Sequence, residues 1–252
     1  MSHRTTQIAA LIATIAMFAL QAMTFSDFFG PNPVGTTSND TAPMLVPASY
    51  AFAIWTPIYL GLIVFPFFQL FKNRNNHPAW LELRYWYIAN VIGNGLWLVF
   101  ASYDWQWLTV VVISFMLISL FRINQLLIRL AGAGVAVSFW AERLVFSLYF
   151  AWITLATVLN VASALHFYDW SGWGISEVNW TLIMGVIAIV ITAYTALKFR
   201  DFIYPFVVVW AFVALAVKHY GSEPILVALA AVAIAVSLGV SFLVRPTKGT
   251  RT

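Results

Sequence analysis

Leu148 to Asn160 reads LYFAWITLATVLN, an uncharged, apolar run long enough to form part of a membrane span. Within it Tyr149, Trp152, Ala156 and Asn160 recur at steps of three, four and four residues. That is helical spacing, and it places a phenol, an indole and an amide on one face. A helix that had only to dissolve in lipid could be leucine throughout. The polar atoms of buried Asn, Trp and Tyr need hydrogen-bond partners in hydrocarbon, so this face is expected to point inward, to other helices or to a cavity.

Composition extends that reading to the whole chain. Apolar residues make up 62% of the 252 positions and charged residues 9%, against roughly 25% charged in a soluble domain. Such a chain could not cover itself with polar surface, so its solvent is lipid and its first partner is the bilayer. Cysteine is absent, which excludes disulfides, thiolate metal sites, cysteine nucleophiles and covalent c-type haem attachment.

Short polar breaks divide the apolar runs into about eight spans, an all-α integral membrane protein. They fall near Gln7–Phe25, Ala51–Phe71, Tyr85–Ser102, Trp105–Phe121, Ala141–Leu165, Trp180–Leu197, Phe202–Val217 and Ile225–Val244. With this division twelve of the 13 basic residues lie on the side of the N-terminus, among them Arg4, Lys72, Arg74, Arg84, Arg122 and Arg245. Lys218 alone lies opposite, where Asp27, Asp40, Asp104, Asp169, Glu177 and Glu223 collect. The positive-inside rule then puts both termini in the cytoplasm or its organellar equivalent. The net charge of +4 is therefore topological and gives no sign of a nucleic-acid partner. Arg4 ahead of an apolar run has the order of a signal peptide, but no small-x-small cleavage site follows, and the segment is expected to remain a span.

Two connections stand out. Ser26–Tyr50, opening SDFFGPNPVGTTSND, is rich in Pro, Gly, Ser, Thr and Asn and reads equally as a disordered loop or as a lid over an opening on its face. His166–Asn179 (HFYDWSGWGISEVN) contains Trp170 and Trp173, which have the character of interfacial anchors. It also marks a division between residues 1–166 and 167–252. No internal repeat of the transporter kind is visible.

Ionisable groups at membrane depth are the usual mark of function in such a chain, and the middles of these spans lack them. His3, His77, His166 and His219 all fall in loops or at helix ends, so neither bis-histidine haem ligation nor a carboxylate proton relay is supported. Lys218 has no carboxylate at depth to serve as counter-ion, which favours a snorkelling lysine over a Schiff base. Glu142 and Arg143 open the fifth span and are expected at the interface, with orientation of a pocket group as the alternative for Glu142. What remains at depth is amide and aromatic chemistry. Tyr87, Asn90, Asn94, Trp97 and Ala101 share a face of the third span, where Gly93 and Gly95 permit close helix approach. Phe52, Trp55 and Tyr59 share a stripe of the second, with Pro57 and Pro66 bending it. These stripes read either as interhelical glue or as the walls of a cavity for a flat, mostly apolar ligand.

The opening stretch also fits the pattern Y-x-A-W-x-x-x-x-T-x-L-N, through Tyr149, Ala151, Trp152, Thr157, Leu159 and Asn160. In this it resembles the last helix of the translocator proteins, also called tryptophan-rich sensory proteins or mitochondrial benzodiazepine receptors. Asn94-Gly95-Leu96-Trp97 is similar to that family's N-x-x-W, and Pro47, Phe52, Trp55, Thr56, Tyr59 and Gly61 follow its second-helix pattern. The motifs occur in order, and the resemblance covers about residues 5–166. Tyr50 stands where the family usually has Trp, one residue is missing between Phe52 and Trp55, and Asn90 takes the place of a Gln. The cholesterol-recognition pattern after the fifth helix is not reproduced, since DWSGW follows Tyr168; a loose match runs Val190–Tyr194–Lys198.

The resemblance implies a five-helix, often dimeric bundle over residues 1–166, followed here by three additional helices and a cytoplasmic tail. It implies non-covalent binding of tetrapyrroles such as protoporphyrin IX or haem, of sterols, or of synthetic aromatic ligands. Roles proposed for the family include sensing, transport, stress regulation and porphyrin breakdown. By motif, Trp55, Tyr59, Asn94, Trp97, Tyr149, Trp152 and Asn160 become the pocket candidates. No acid–base pair, metal cluster or nucleophile is offered for hydrolytic or transfer chemistry, so a receptor or sensor is the first expectation. Tetrapyrrole transport, Trp-dependent porphyrin breakdown, and a subunit role in a larger membrane complex are the alternatives.

Overall fold

The computed structural model describes residues 2–25, 28–30, 42–71 and 77–244. Among the described residues run eight α-helices: α1 (His3–Phe25), α2 (Trp55–Phe71), α3 (Pro78–Ser102), α4 (Gln106–Gly132), α5 (Leu144–Phe167), α6 (Glu177–Phe199), α7 (Tyr204–His219) and α8 (Pro224–Leu243). A 3₁₀ turn, Ser49–Ile54, precedes α2, and a π turn, Phe139–Arg143, leads into α5. The helix starts follow local chemistry. His77 caps α3 by accepting the Ala79 N–H at 3.2 Å, with Pro78 next, and Ser176 caps α6 through the Asn179 N–H at 3.3 Å. Arg200 ends α6 in the left-handed region, with φ 47°.

Six helices are long and apolar enough to cross a membrane: α1, α2 with its preceding turn, α4, α5 with its π turn, α6 and α8. The protein is an all-α, multi-pass integral membrane protein. The expected third and seventh spans depart from the other six for opposite reasons. α7 is apolar but only 16 residues long, whereas α3 has 25 residues and carries Glu82, Arg84, Asn90 and Asn94. Two helices also run beyond the expected spans. α3 begins at Pro78 rather than Tyr85, and α4 continues past Phe121 to Gly132 because Ile123, Leu126, Leu127 and Leu130 keep a buried helical stripe. Lys72, Arg74, Arg245, Lys248 and Arg251, which entered the charge count, and most of the Ser26–Tyr50 connection lie outside the described residues.

The chain forms two compact units. The first gathers the described residues of Met1–Ser38 and Thr56–Tyr149; the second gathers those of Asn39–Trp55 and Phe150–Lys248. In the first unit α3 packs on α1 and α4. Its centre is a ring cluster in which Phe65 lies 4.6 Å from Tyr87 and 4.9 Å from Phe146. The Tyr87 hydroxyl donates to the Leu62 carbonyl at 2.7 Å and stands 2.6 Å from the Thr14 hydroxyl, tying α3 to α2 and α1. Asn90 donates to the Ser119 hydroxyl at 2.7 Å and to the Met116 carbonyl at 3.2 Å, so it joins α3 to α4. Close approach is real at the expected glycines: a Cβ on Gly95 would stand 2.8 Å from Leu20, and one on Gly93 3.2 Å from Met116.

The first unit also holds a buried charged network, where interfacial charges were expected. Arg84 donates to Gln69 Oε1 from Nε at 3.2 Å and from Nη2 at 2.8 Å, and its Nη1 lies 3.1 Å from His3 Nδ1. Gln69 in turn donates to Glu142 Oε1 at 2.6 Å, and Gln7 donates to the Gln69 carbonyl at 2.7 Å. Glu142 Oε2 accepts the Ser138 N–H. Arg84, Gln69 and Glu142 are all fully buried. Glu142 is thus not a surface charge; it closes the π turn at the entry to α5. The Arg122–Glu82 ion pair, at 2.9 Å, is by contrast superficial, with both partners exposed.

In the second unit α8 packs on α6 and α7. A Cβ on Gly185 would stand 2.5 Å from Leu229, so α6 and α8 touch through that glycine. The segment from Pro43 to Ala51 lies as a strap along α6 and α7. Its Met44 N–H donates to Glu177 Oε1 at 2.7 Å, and its Met44 carbonyl lies 2.9 Å from His219 Nε2. Lys218 Nζ donates to the carbonyls of Val46 at 2.8 Å and Pro43 at 3.4 Å. The Ala48 N–H reaches the Ala214 carbonyl at 3.2 Å, and Trp210 Nε1 donates to the Ala51 carbonyl at 2.9 Å. Lys218 therefore does not snorkel freely. An irregular segment has no ladder to satisfy its backbone, and these side chains supply what a helix or sheet would.

Candidate functional site

The first unit brings three expected site residues to one place. Asn94, on α3, donates to the Tyr149 hydroxyl at 2.8 Å. Tyr59, on α2, has its hydroxyl near Asn94 and near Gln21 on α1. The Phe18 ring meets Tyr59 edge-on at 5.6 Å. Two polar atoms here are buried without a hydrogen-bond partner: Asn94 Oδ1 and Gln21 Nε2, on residues 3% and 7% exposed. An unmet buried polar group costs about 1–3 kcal/mol. One acceptor and one donor left unmet beside two phenols therefore form a place that a polar group of a ligand would complete. Trp97 lies half-buried on α3, a turn beyond Asn94.

The second unit contains the other three. Trp152, 1% exposed, receives the edges of Phe52 at 5.7 Å and Trp55 at 6.3 Å, with interplanar angles of 89° and 84°. Its indole N–H has no acceptor. Asn160 is buried on α5, two turns further on. α5 is not the one-faced helix its spacing implied: every residue from Tyr149 to Leu155 is at most 8% exposed. A helix packed all round hides the face that carries its function among faces that only pack.

Two cavities lie in the second unit. One, of about 40 Å³, is bounded by Leu45, Pro47, Trp152, Leu155, Ala188 and Phe212, among others. The other, of about 320 Å³, runs between the ends of α5 and α6 beneath Pro43 and Leu45, with His166, Trp170, Glu177 and Trp180 along it. Leu45 and Met184 border both.

Neither Gln21 nor the strap-holding role of Lys218 and its neighbours was foreseen from the sequence. Gln21 had a visible signal, because Ala10, Thr14, Met17, Gln21 and Thr24 follow helical spacing and are all buried on α1. Glu177, Trp210, Lys218 and His219 carried none, since what they hold is a backbone. Among the described residues no group of three or more His, Cys, Asp or Glu could hold a metal ion.

Apolar helices of spanning length, with buried aromatic and amide clusters between them, define a polytopic α-helical membrane protein. The family described as TSPO-like protein matches residues 7–244, and the chain belongs to that family. The match runs past residue 166 and takes in α6, α7 and the whole of α8. No curated protein and no solved structure matches the chain.

Proposed function

We propose that the protein is a membrane receptor or sensor that binds a flat, hydrophobic ligand, of the tetrapyrrole or sterol-like class, among its buried aromatic residues. The charge distribution in the sequence supports a reading with both termini in the cytoplasm or its organellar equivalent. The observation that carries the reading is the pair of unmet polar atoms, Asn94 Oδ1 and Gln21 Nε2, beside Tyr59 and Tyr149. Family membership supports it, as do the two aromatic edges on Trp152 in the second unit.

The residues suit a metal-free porphyrin better than an axially ligated haem. His3 contacts Arg84, His77 caps α3, His166 ends α5 and His219 holds the strap. None of them stands mid-helix where it could meet a porphyrin iron. Gln21 offers a donor of the kind a propionate would take, and the phenol and indole rings offer planar apolar walls.

Titration of the purified protein with protoporphyrin IX, followed by quenching of tryptophan fluorescence, tests the reading. Saturable quenching is expected, with Asn94→Leu weakening binding about tenfold, the equivalent of about 1.4 kcal/mol. Linear, unsaturable quenching that is the same in wild type and Asn94→Leu would exclude this site.

A further inference from the structure

We propose that the second unit carries a separate binding site, in the larger cavity between α5 and α6, for a single-chain amphiphile with an uncharged, hydroxylated head. The walls decide the chain. Val161, Ala162 and Leu165 of α5 face Met184 of α6, with Leu45 of the strap above, and the sharing of Leu45 and Met184 with the smaller cavity continues the apolar path toward Trp152. At about 320 Å³ the larger cavity is at the lower end of the range for small-molecule sites, which favours one chain over two.

The mouth decides the head. Trp170, Trp173 and Trp180 cluster there, with ring centroids 5.2, 5.3 and 6.0 Å apart, and Trp173 is 77% exposed. Such indoles mark the level of the lipid headgroups. Glu177 brings a negative charge to the mouth, but one of its oxygens already accepts the Met44 N–H, and Lys218 lies near enough to interact with that charge. A carboxylate head would meet the Glu177 charge, and an ammonium head would find that charge already offset by Lys218. With the two charges offsetting one another, hydroxyls that can both donate and accept suit the Glu177 carboxylate, the His166 ring and the Ser171 hydroxyl. The strap is the roof of this site, and Glu177, Lys218 and His219 hold it in place.

The test uses the full chain in lipid nanodiscs with a photoactivatable monopalmitoylglycerol and peptide mapping of the crosslinks. Saturable labelling confined to the cavity's lining on the strap, α5, the α5–α6 connection and α6 is expected, competed at least tenfold better by monopalmitoylglycerol than by palmitate or hexadecylamine. Ala162→Trp fills the cavity and should reduce labelling at least tenfold while the apparent melting temperature stays that of the wild type, which reports that the variant is folded. Glu177→Gln keeps the acceptor for Met44 but leaves Lys218 unopposed, so palmitate should then compete as well as the neutral lipid. Labelling spread along the lipid-facing helices, labelling unchanged in Ala162→Trp, or wild-type competition indifferent to head charge would each overturn the proposal. None of these outcomes depends on whether protoporphyrin binds in the first unit.

Discussion

Arg84 and Glu142 show how much a single buried residue can commit in a lipid-soluble protein. Their charges face one another through Gln69, which accepts from the guanidinium and donates to the carboxylate. A buried ion pair adds little over apolar packing of the same volume, yet removing one partner strands the other, at about 3–5 kcal/mol. Arg84→Met is therefore expected to lower the apparent melting temperature of the detergent-solubilised protein sharply. Combining it with Glu142→Gln should cost less than the sum of the two single changes, because the second removes the charge that the first exposes. Strict additivity in thermal scans would show that the two groups do not act together. At this scale the sequence was only partly legible. The Asn94 and Tyr149 spacings pointed to partners that the structure supplies. Arg84 and Glu142 looked topological because charges near helix ends usually are, and nothing in a linear pattern tells that α1, α2, α3 and the π turn converge on them.

At the scale of elements, contacts are set by glycines and by a backbone strap. A Cβ on Gly61 of α2 would stand 2.6, 2.7 and 3.0 Å from side-chain carbons of Val145. The crowding comes from a branched side chain close to its own backbone, which has little freedom to withdraw. Gly61→Ala should thus cost about 1–3 kcal/mol, seen as a lower apparent melting temperature, and Val145→Ala in the same chain should restore part of it. The strap gives a different kind of prediction. The natural sequence has no cysteine, so Leu45→Cys creates a unique thiol between strap and cavities. Lys218→Met removes the donor to Val46 and Pro43, and maleimide labelling of that thiol should then accelerate several-fold; an unchanged rate would show that Lys218 does not hold the strap. The helices themselves were largely foreseen, because apolar length and polar breaks are local properties. The strap was not, because Pro43–Ala51 is irregular and its order comes from α6 and α7, far along the chain.

At the scale of the whole molecule the chain is a member of the TSPO-like family, and its described residues carry eight helices in two compact units, each with its own aromatic cluster. The stripes on the second, third and fifth spans allow two readings, glue or pocket wall. Tyr87 bonds to neighbouring helices and serves as glue, whereas Asn90 donates to α4 and keeps its Oδ1 unmet. Asn94 and Gln21 retain unmet atoms, and Trp152 an unmet N–H, and on the proposed receptor reading these are the groups a ligand would satisfy. A receptor keeps such groups at some cost in stability, so stability and binding should separate when one is removed. The most direct measurement is a paired determination, on wild type and Gln21→Leu, of apparent melting temperature and of protoporphyrin IX affinity by absorbance titration. The receptor account predicts an equal or higher melting temperature together with affinity about tenfold weaker. A lower melting temperature with unchanged affinity would contradict it and make Gln21 a structural residue.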